Sequence, residues 1–172
     1  GQLWLRNVRR LPASCSILLT DFSAGMVQDA NTALADDGEH FAYAVADVQC
    51  LPFDDGSFDA VVANHMLYCA QDRHAAIAEI RRVLRRSGHL YASTNGKAHM
   101  RELDDLVRRF DPQYRLDSGS AVFGLENGRE QLLEHFAAVD LHRYDDALVV
   151  TDAMALVEWA QSWAPGTFPV ET

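Results

Sequence analysis

The sequence predicts an α/β protein, a mostly parallel sheet doubly wound with helices on both faces. Three observations lead there. Short apolar runs of strand length recur at 16–20, 41–48, 58–63 and 89–94. Amphipathic stretches of helical period stand between strands, at 23–34 and 72–86. Strands and helices alternate from 16 to 94, the rhythm of parallel strands joined by crossover helices.

The elements follow in order. "GQLWLRNVRRLPASC" reads as the tail of a helix and a loop, before the buried strand "SILLT" at 16–20. In the helix at 23–34, Ser23 is an N-cap, and Val27, Ala30 and Leu34 share one face. "FAYAVADV", 41–48, is the second strand, and "LPFDDGSFD" turns at Pro52 and at the Asp55-Gly56 pair. "FDAVVA" at 58–63 is the third strand. In the helix at 72–86, Asp72 caps the start, Ile77, Ile80 and Leu84 share a face, and Gly88 is expected to end it in a left-handed turn. "HLYAST", 89–94, is the fourth strand. Beyond it lie a helix at 97–110, a long loop at 111–128 suited to binding or mobility, and a short helix "REQLLEHF". "AVDLHRY" and "ALVV" are expected to pair as strands. A helix at 151–163 is capped by Thr151 or Asp152, and a Pro/Gly tail follows.

The chain has 172 residues, fitting a single domain over 1–172, and its 48% hydrophobic content is enough for a real core. A formal net charge of −10 argues against nucleic acid as the main partner. The one basic run, "EIRRVLRR" at 79–86, reads as the wet face of a helix. Cys15, Cys50 and Cys69 lack metal-type spacing, and an odd count fits reduced thiols in a cytoplasm. No apolar run reaches the roughly 18 residues of a membrane span, and no signal peptide is visible. His135 and His142 show no third ligand and read as surface or packing residues, so no metal site is expected.

In open α/β sheets, ligands bind beyond the carboxyl ends of the strands. Those ends carry Asp21, then Asp47 and Val48, then Asn64, His65 and Met66, then Ser93, Thr94 and Asn95. Two separated carboxylates there suit a nucleoside: one can accept ribose hydroxyl hydrogens, the other an adenine amino hydrogen. Met26, one turn into a helix, can cover a flat base with its polarizable sulfur.

Taken in order, "LLTDFSAGM", "ADVQCLPFDDGSFDAVVANHMLY" and "EIRRVLRRSGHLYAST" resemble the class I S-adenosylmethionine-dependent methyltransferases of small-molecule type, over residues 1 to about 110. The resemblance implies a Rossmann-like fold with an antiparallel edge strand near the C-terminus, and S-adenosyl-L-methionine as cofactor. It makes 1–95 the cofactor-binding half and 96–172 the substrate-side and edge-strand half. The loop at 111–128 and the helix at 151–163 are suited to a lid over the substrate and equally to edge packing. It implies that Asp21 holds the ribose, with Phe22 beside it, that Met26 packs near the adenine, and that Asp47 and Val48 read the adenine edge. Asn64 lies beside the cofactor. His65 is the expected base or substrate contact, with Tyr68, Asn95 and His99 as further substrate contacts. "TNGKAHMRELDDL" and "FGLENG" look like a subgroup of bacterial members and supply no substrate.

The family's glycine-rich turn is absent, and Gly1 is expected to match its last glycine. Its central first strand should lie between the strands ending at Asp21 and Ala63. Three explanations are open. The strand belongs to residues upstream, favoured because "SILLTD" and "FDAVVANH" look unmodified for their places; or another chain supplies it, in a homo-oligomer; or the two flanking strands pair directly and delete the cleft. Competing functional readings are a truncated or degenerate non-catalytic domain, and a nicotinamide dehydrogenase that uses an acid after its second strand.

Overall fold

The computed structural model describes residues 2–109, 111–113 and 119–163, and the side chains of 37–39 and 160–163 lie outside that description. The chain divides into two units, 1–141 and 142–172. The first holds α1 (Gln2–Asn7), β1 (Ile17–Asp21), α2 (Ala24–Ala33), β2 (Phe41–Val45), β3 (Phe58–Asn64), α3 (Arg73–Val83), β4 (Leu84–Ser93), α4 (Arg101–Arg108) and α5 (Gly128–Leu133). The second holds α6 (Ala153–Trp163), at whose start the Met154 N–H donates to Asp152 Oδ1. Among the described residues, no helix is long and apolar enough to cross a membrane.

The strands form two parallel pairs: β1 with β2, and β3 with β4. Among the described residues β1 does not pair directly with β3, which removes the third explanation. Each pair is closed by the helix that connects it, as parallel strands require. In α2, Ser23 Oγ accepts the Met26 N–H, and Val27, Ala30 and Leu34 are the positions turned from solvent, as the periodicity predicts. In α3, Asp72 Oδ1 accepts the Ala75 N–H, and Ala76, Ile77, Ile80 and Val83 are buried. The core joins α3 to β3 and β4 through Ala63, Leu67, Ile77, Ile80 and Leu84, and Phe123 completes it from the long loop.

Several expectations are corrected. Helix α3 ends at Val83, and 84–88 already belong to β4. Leu84 takes extended backbone, pairs with Phe58 and buries its side chain, so the chain turns straight from helix into sheet. Gly88 is not left-handed; the positive-φ glycines among the described residues are Gly56 (62°) and Gly119 (67°). A Cβ on Gly88 would stand 3.0 Å from the Asp59 carbonyl oxygen, so close strand approach explains this glycine. Helix α4 starts at Arg101, after turns through 97–100. Residues 137–150 form no strand, so the antiparallel edge pair is not formed there; alternating apolar residues do not by themselves supply the backbone partners a ladder needs.

The basic run is not simply a wet helix face. The Arg82 guanidinium donates to the carbonyls of Leu51 and Phe53 and pairs with Glu79 and Asp55. Glu79 in turn accepts the Leu51 N–H at 2.8 Å. Arg82 thereby lowers the Glu79 pKa, and Glu79 raises that of Arg82. The fork geometry of arginine suits this task, since one side chain reaches several acceptors in the turn-rich connection. Arg85 lies in β4 and pairs with Asp59.

Candidate functional site

The first group of strand-end residues sits on the β1–β2 pair. The register sets Asp21 beside Val45, and the Ala46 N–H donates to the Asp21 carbonyl at 3.0 Å. Asp21 therefore ends β1, whereas β2 stops at Val45 and not at 48 as expected, so Asp47 lies two residues past the end of the neighbouring strand, in an isolated antiparallel bridge with Cys50. Asp21 Oδ1 accepts the Ser23 N–H at 2.8 Å, the side chain is exposed, and no described residue takes Oδ2. Phe22 and Met26 are 77% and 55% exposed, large apolar side chains left open beside a carboxylate.

Asp47 is more engaged. Its Oδ1 accepts from the Gln49 backbone N–H at 2.9 Å and from Nε2 at 3.1 Å, and Nε2 also reaches Oδ2 at 3.3 Å. These donors, the backbone N–H foremost, hold the carboxyl below the usual carboxylate range. Gln49 Oε1 accepts the Asp72 N–H at 2.7 Å, so the connection that follows β2 is tied to the N-cap of α3. Val48 packs against the core. Gly1 lies outside the described residues.

The second group sits at the carboxyl end of β3–β4. Asn64 Oδ1 accepts the Ser93 hydroxyl hydrogen at 3.2 Å, and the His65 N–H donates to the Ser93 carbonyl at 3.1 Å. His65 is exposed and has φ 47°, a left-handed conformation that costs a non-glycine residue about 1–3 kcal/mol. Tyr68 packs where a Cβ on Gly119 would collide with its ring, and partial burial raises its phenol pKa. The Asn95 carbonyl accepts the Leu125 N–H at 3.1 Å.

His99 keeps an exposed edge, yet partial desolvation, followed by the charge of His65, lowers its pKa from the ordinary value. The folded chain thus binds the His99 proton less readily than the unfolded chain. The stability this linkage carries is present above about pH 6.5 and lost as pH falls through the folded value. Histidine NMR titration should show His99 below the ordinary histidine value of about 6.5. His65→Gln should raise His99 only part of the way back, because desolvation is the larger cause. A His99 titrating above about 6.5, or one indifferent to His65→Gln, would contradict this arrangement.

Sequence reasoning missed three features. Gln49 gives no signal of its role as a link from Asp47 to α3. Part of the long loop is docked: Thr94 Oγ1 donates to the Phe123 carbonyl at 2.6 Å, and Glu126 accepts the Lys97 N–H at 3.1 Å. A Cβ on Gly124 would collide with the Ser120 carbonyl oxygen, which is why glycine stands in this turn. The third is His135, which meets His74 with ring centroids 4.5 Å apart.

Residues 2–92 match the family model of a methyltransferase domain. A ubiquinone/menaquinone biosynthesis C-methyltransferase of Hahella chejuensis is 34% identical over 92 residues, 52% of this chain and 37% of the relative. An arsenite methyltransferase of Aquipseudomonas alcaligenes is 29% identical over 154 residues, 85% of this chain and 43% of the relative. The chain thus spans well under half the length of these relatives. Among solved structures, the [4+2]-cyclase SpnF is similar at 29% identity and a TM-score of 0.50, over 54% of this chain and 34% of that one. With the α/β architecture, the parallel strands and the family match over residues 2–92, this chain belongs to the methyltransferase-domain family.

Proposed function

We propose that the chain binds S-adenosylmethionine at the β1–β2 strand ends and takes part in methyl transfer to a small molecule received at the β3–β4 end. The observation that carries this reading is a carboxylate at the end of β1 with an uncommitted oxygen, together with a second carboxylate just past the end of the neighbouring parallel strand β2. The donor set suits an adenosine. Asp21 Oδ2 offers lone pairs to ribose hydroxyls, and charge-assisted bonds of this kind are the strong ones. Asp47 Oδ2, held by a single long contact, has capacity left for an amino hydrogen, and no described residue takes the Val48 N–H beside it. Met26 and Phe22 supply exposed apolar surface for a base.

The cofactor supplies a methyl group on a positively charged sulfur. The chain's part is alignment of acceptor and methyl in line, from which much of the rate can come. His65, exposed at the tip of β3, is placed to accept an acceptor's proton or to orient it. His99, kept neutral near pH 7, is a second proton acceptor whose affinity depends on His65. Tyr68 and Asn95 border this end and shape the acceptor's pocket. A base is required only where the nucleophile arrives protonated.

The test is thermal unfolding with S-adenosylhomocysteine and, separately, NAD. Ligand at about a hundredfold its Kd should raise the midpoint by roughly 5–10 °C for a chain of this size. A rise with S-adenosylhomocysteine alone supports the reading. A rise with NAD alone would favour a dehydrogenase, and silence with both a domain that does not bind cofactor.

A further inference from the structure

At the edge of the α3–α5 contact, and separate from the residues assigned above, lies a cavity of about 430 Å³ lined by Asp72, His74, Ile77, Gln131, Glu134 and His135. Arg73 Nε donates to Gln131 Oε1 at 3.2 Å and already links the two helices. One ligand atom from each of His74, Glu134 and His135 lies within 4.8 Å of the others. His74 Nε2 stands 3.9 Å from Glu134 Oε2, too far for a hydrogen bond. His135 Nε2 is buried and has no hydrogen-bond partner among the described residues. A shielded imidazole nitrogen without a partner needs an explanation, and an unseen ion is one of the standard ones.

We propose that His74, Glu134 and His135 bind one divalent transition cation of the zinc class, with its fourth position open to water from the cavity. Two imidazoles and a carboxylate form a ligand set such ions prefer over calcium or magnesium. Ligands on one tetrahedral ion with bonds near 2.1 Å stand about 3.4 Å apart, so a small closure of the exposed His74 and Glu134 completes the site. The backbone of His135 is fixed at the end of α5, where its main-chain N–H donates to the Leu132 carbonyl at 3.0 Å. The dipole of α3 opposes a cation near its first turn, and the Glu134 ligand with the neighbouring Asp72 offsets that field. The bound ion clamps the start of α3 to the end of α5.

The experiment is calorimetric titration of Zn²⁺ into the untagged full chain with its cysteines alkylated, repeated on His74→Ala and His135→Gln. One equivalent should bind, and His74→Ala should weaken it by at least about tenfold. Zn²⁺ should raise the melting midpoint of the parent chain and not that of His74→Ala. Absence of saturable binding in the micromolar range, or equal affinity in His74→Ala, overturns the proposal. His74 is 71% exposed, so its removal leaves the fold intact even where His135→Gln does not.

Discussion

Asp21→Ala is expected to weaken S-adenosylhomocysteine binding by about 10- to 100-fold, the span of one or two lost bonds to a charged acceptor. The expected effect is large because Asp21 is the carboxylate with an uncommitted oxygen, whereas Asp47 already accepts from Gln49. Asp21→Asn separates charge from local structure. Its amide oxygen can still accept the Ser23 N–H, so the entry to α2 survives while the negative charge is lost. An intermediate loss in Asp21→Asn, with melting unchanged, would locate the effect in ligand binding. Equal affinity of all three proteins, measured by calorimetry, would remove Asp21 from the site and with it the nucleoside reading of these strand ends.

Phe123→Ala is expected to cost about 3–5 kcal/mol of unfolding free energy, the range for emptying a buried aromatic site. Phe123 is 2% exposed and packs with Leu67, Ile77, Ile80 and Leu84. Its ring presses on Gly128, where a Cβ would stand 3.0 Å from Cζ, so neighbouring residues cannot easily collapse into the vacated space from that side. The same residue's carbonyl accepts the Thr94 hydroxyl, so loss of the ring also loosens the loop from the end of β4. Urea unfolding checks the magnitude, and amide exchange at Leu125 checks the loosening. Val122→Ala, next door and 39% exposed, should stay within about 0.5 kcal/mol. A loss below about 1 kcal/mol in Phe123→Ala would mean that the loop is not anchored by this ring.

The contrast between those two residues shows how legibility divides. Asp21 was readable because a strand end followed by a capped helix is written in adjacent residues: apolar run, acid, serine, then the period of Val27, Ala30 and Leu34. Asp72 and the buried face of α3 were readable for the same reason. Phe123 was not. Nothing in "SGSAVFGLENG" distinguishes a docked turn from a solvated one until β4 offers Thr94 and Asn95 as partners. Arg82 likewise reads as a solvent-facing charge until the 51–55 connection folds across it. The apolar period of α3 runs on through Leu84 and predicts a longer helix, while the actual position of Leu84 is set by pairing with Phe58.

By itself the sequence determined the α/β class, the caps and buried faces of α2 and α3, and the acid at the end of β1. These depend on propensity and period within a few residues, where the backbone's own geometry decides. Only the tertiary structure decided which distant side chains meet: Gln49 with Asp72, Arg82 with Leu51 and Phe53, Phe123 with the α3 core, His74 with Glu134 and His135. Such encounters are fixed by how helices and loops dock on the sheets, and docking is set by burial summed over the whole core rather than by any local pattern.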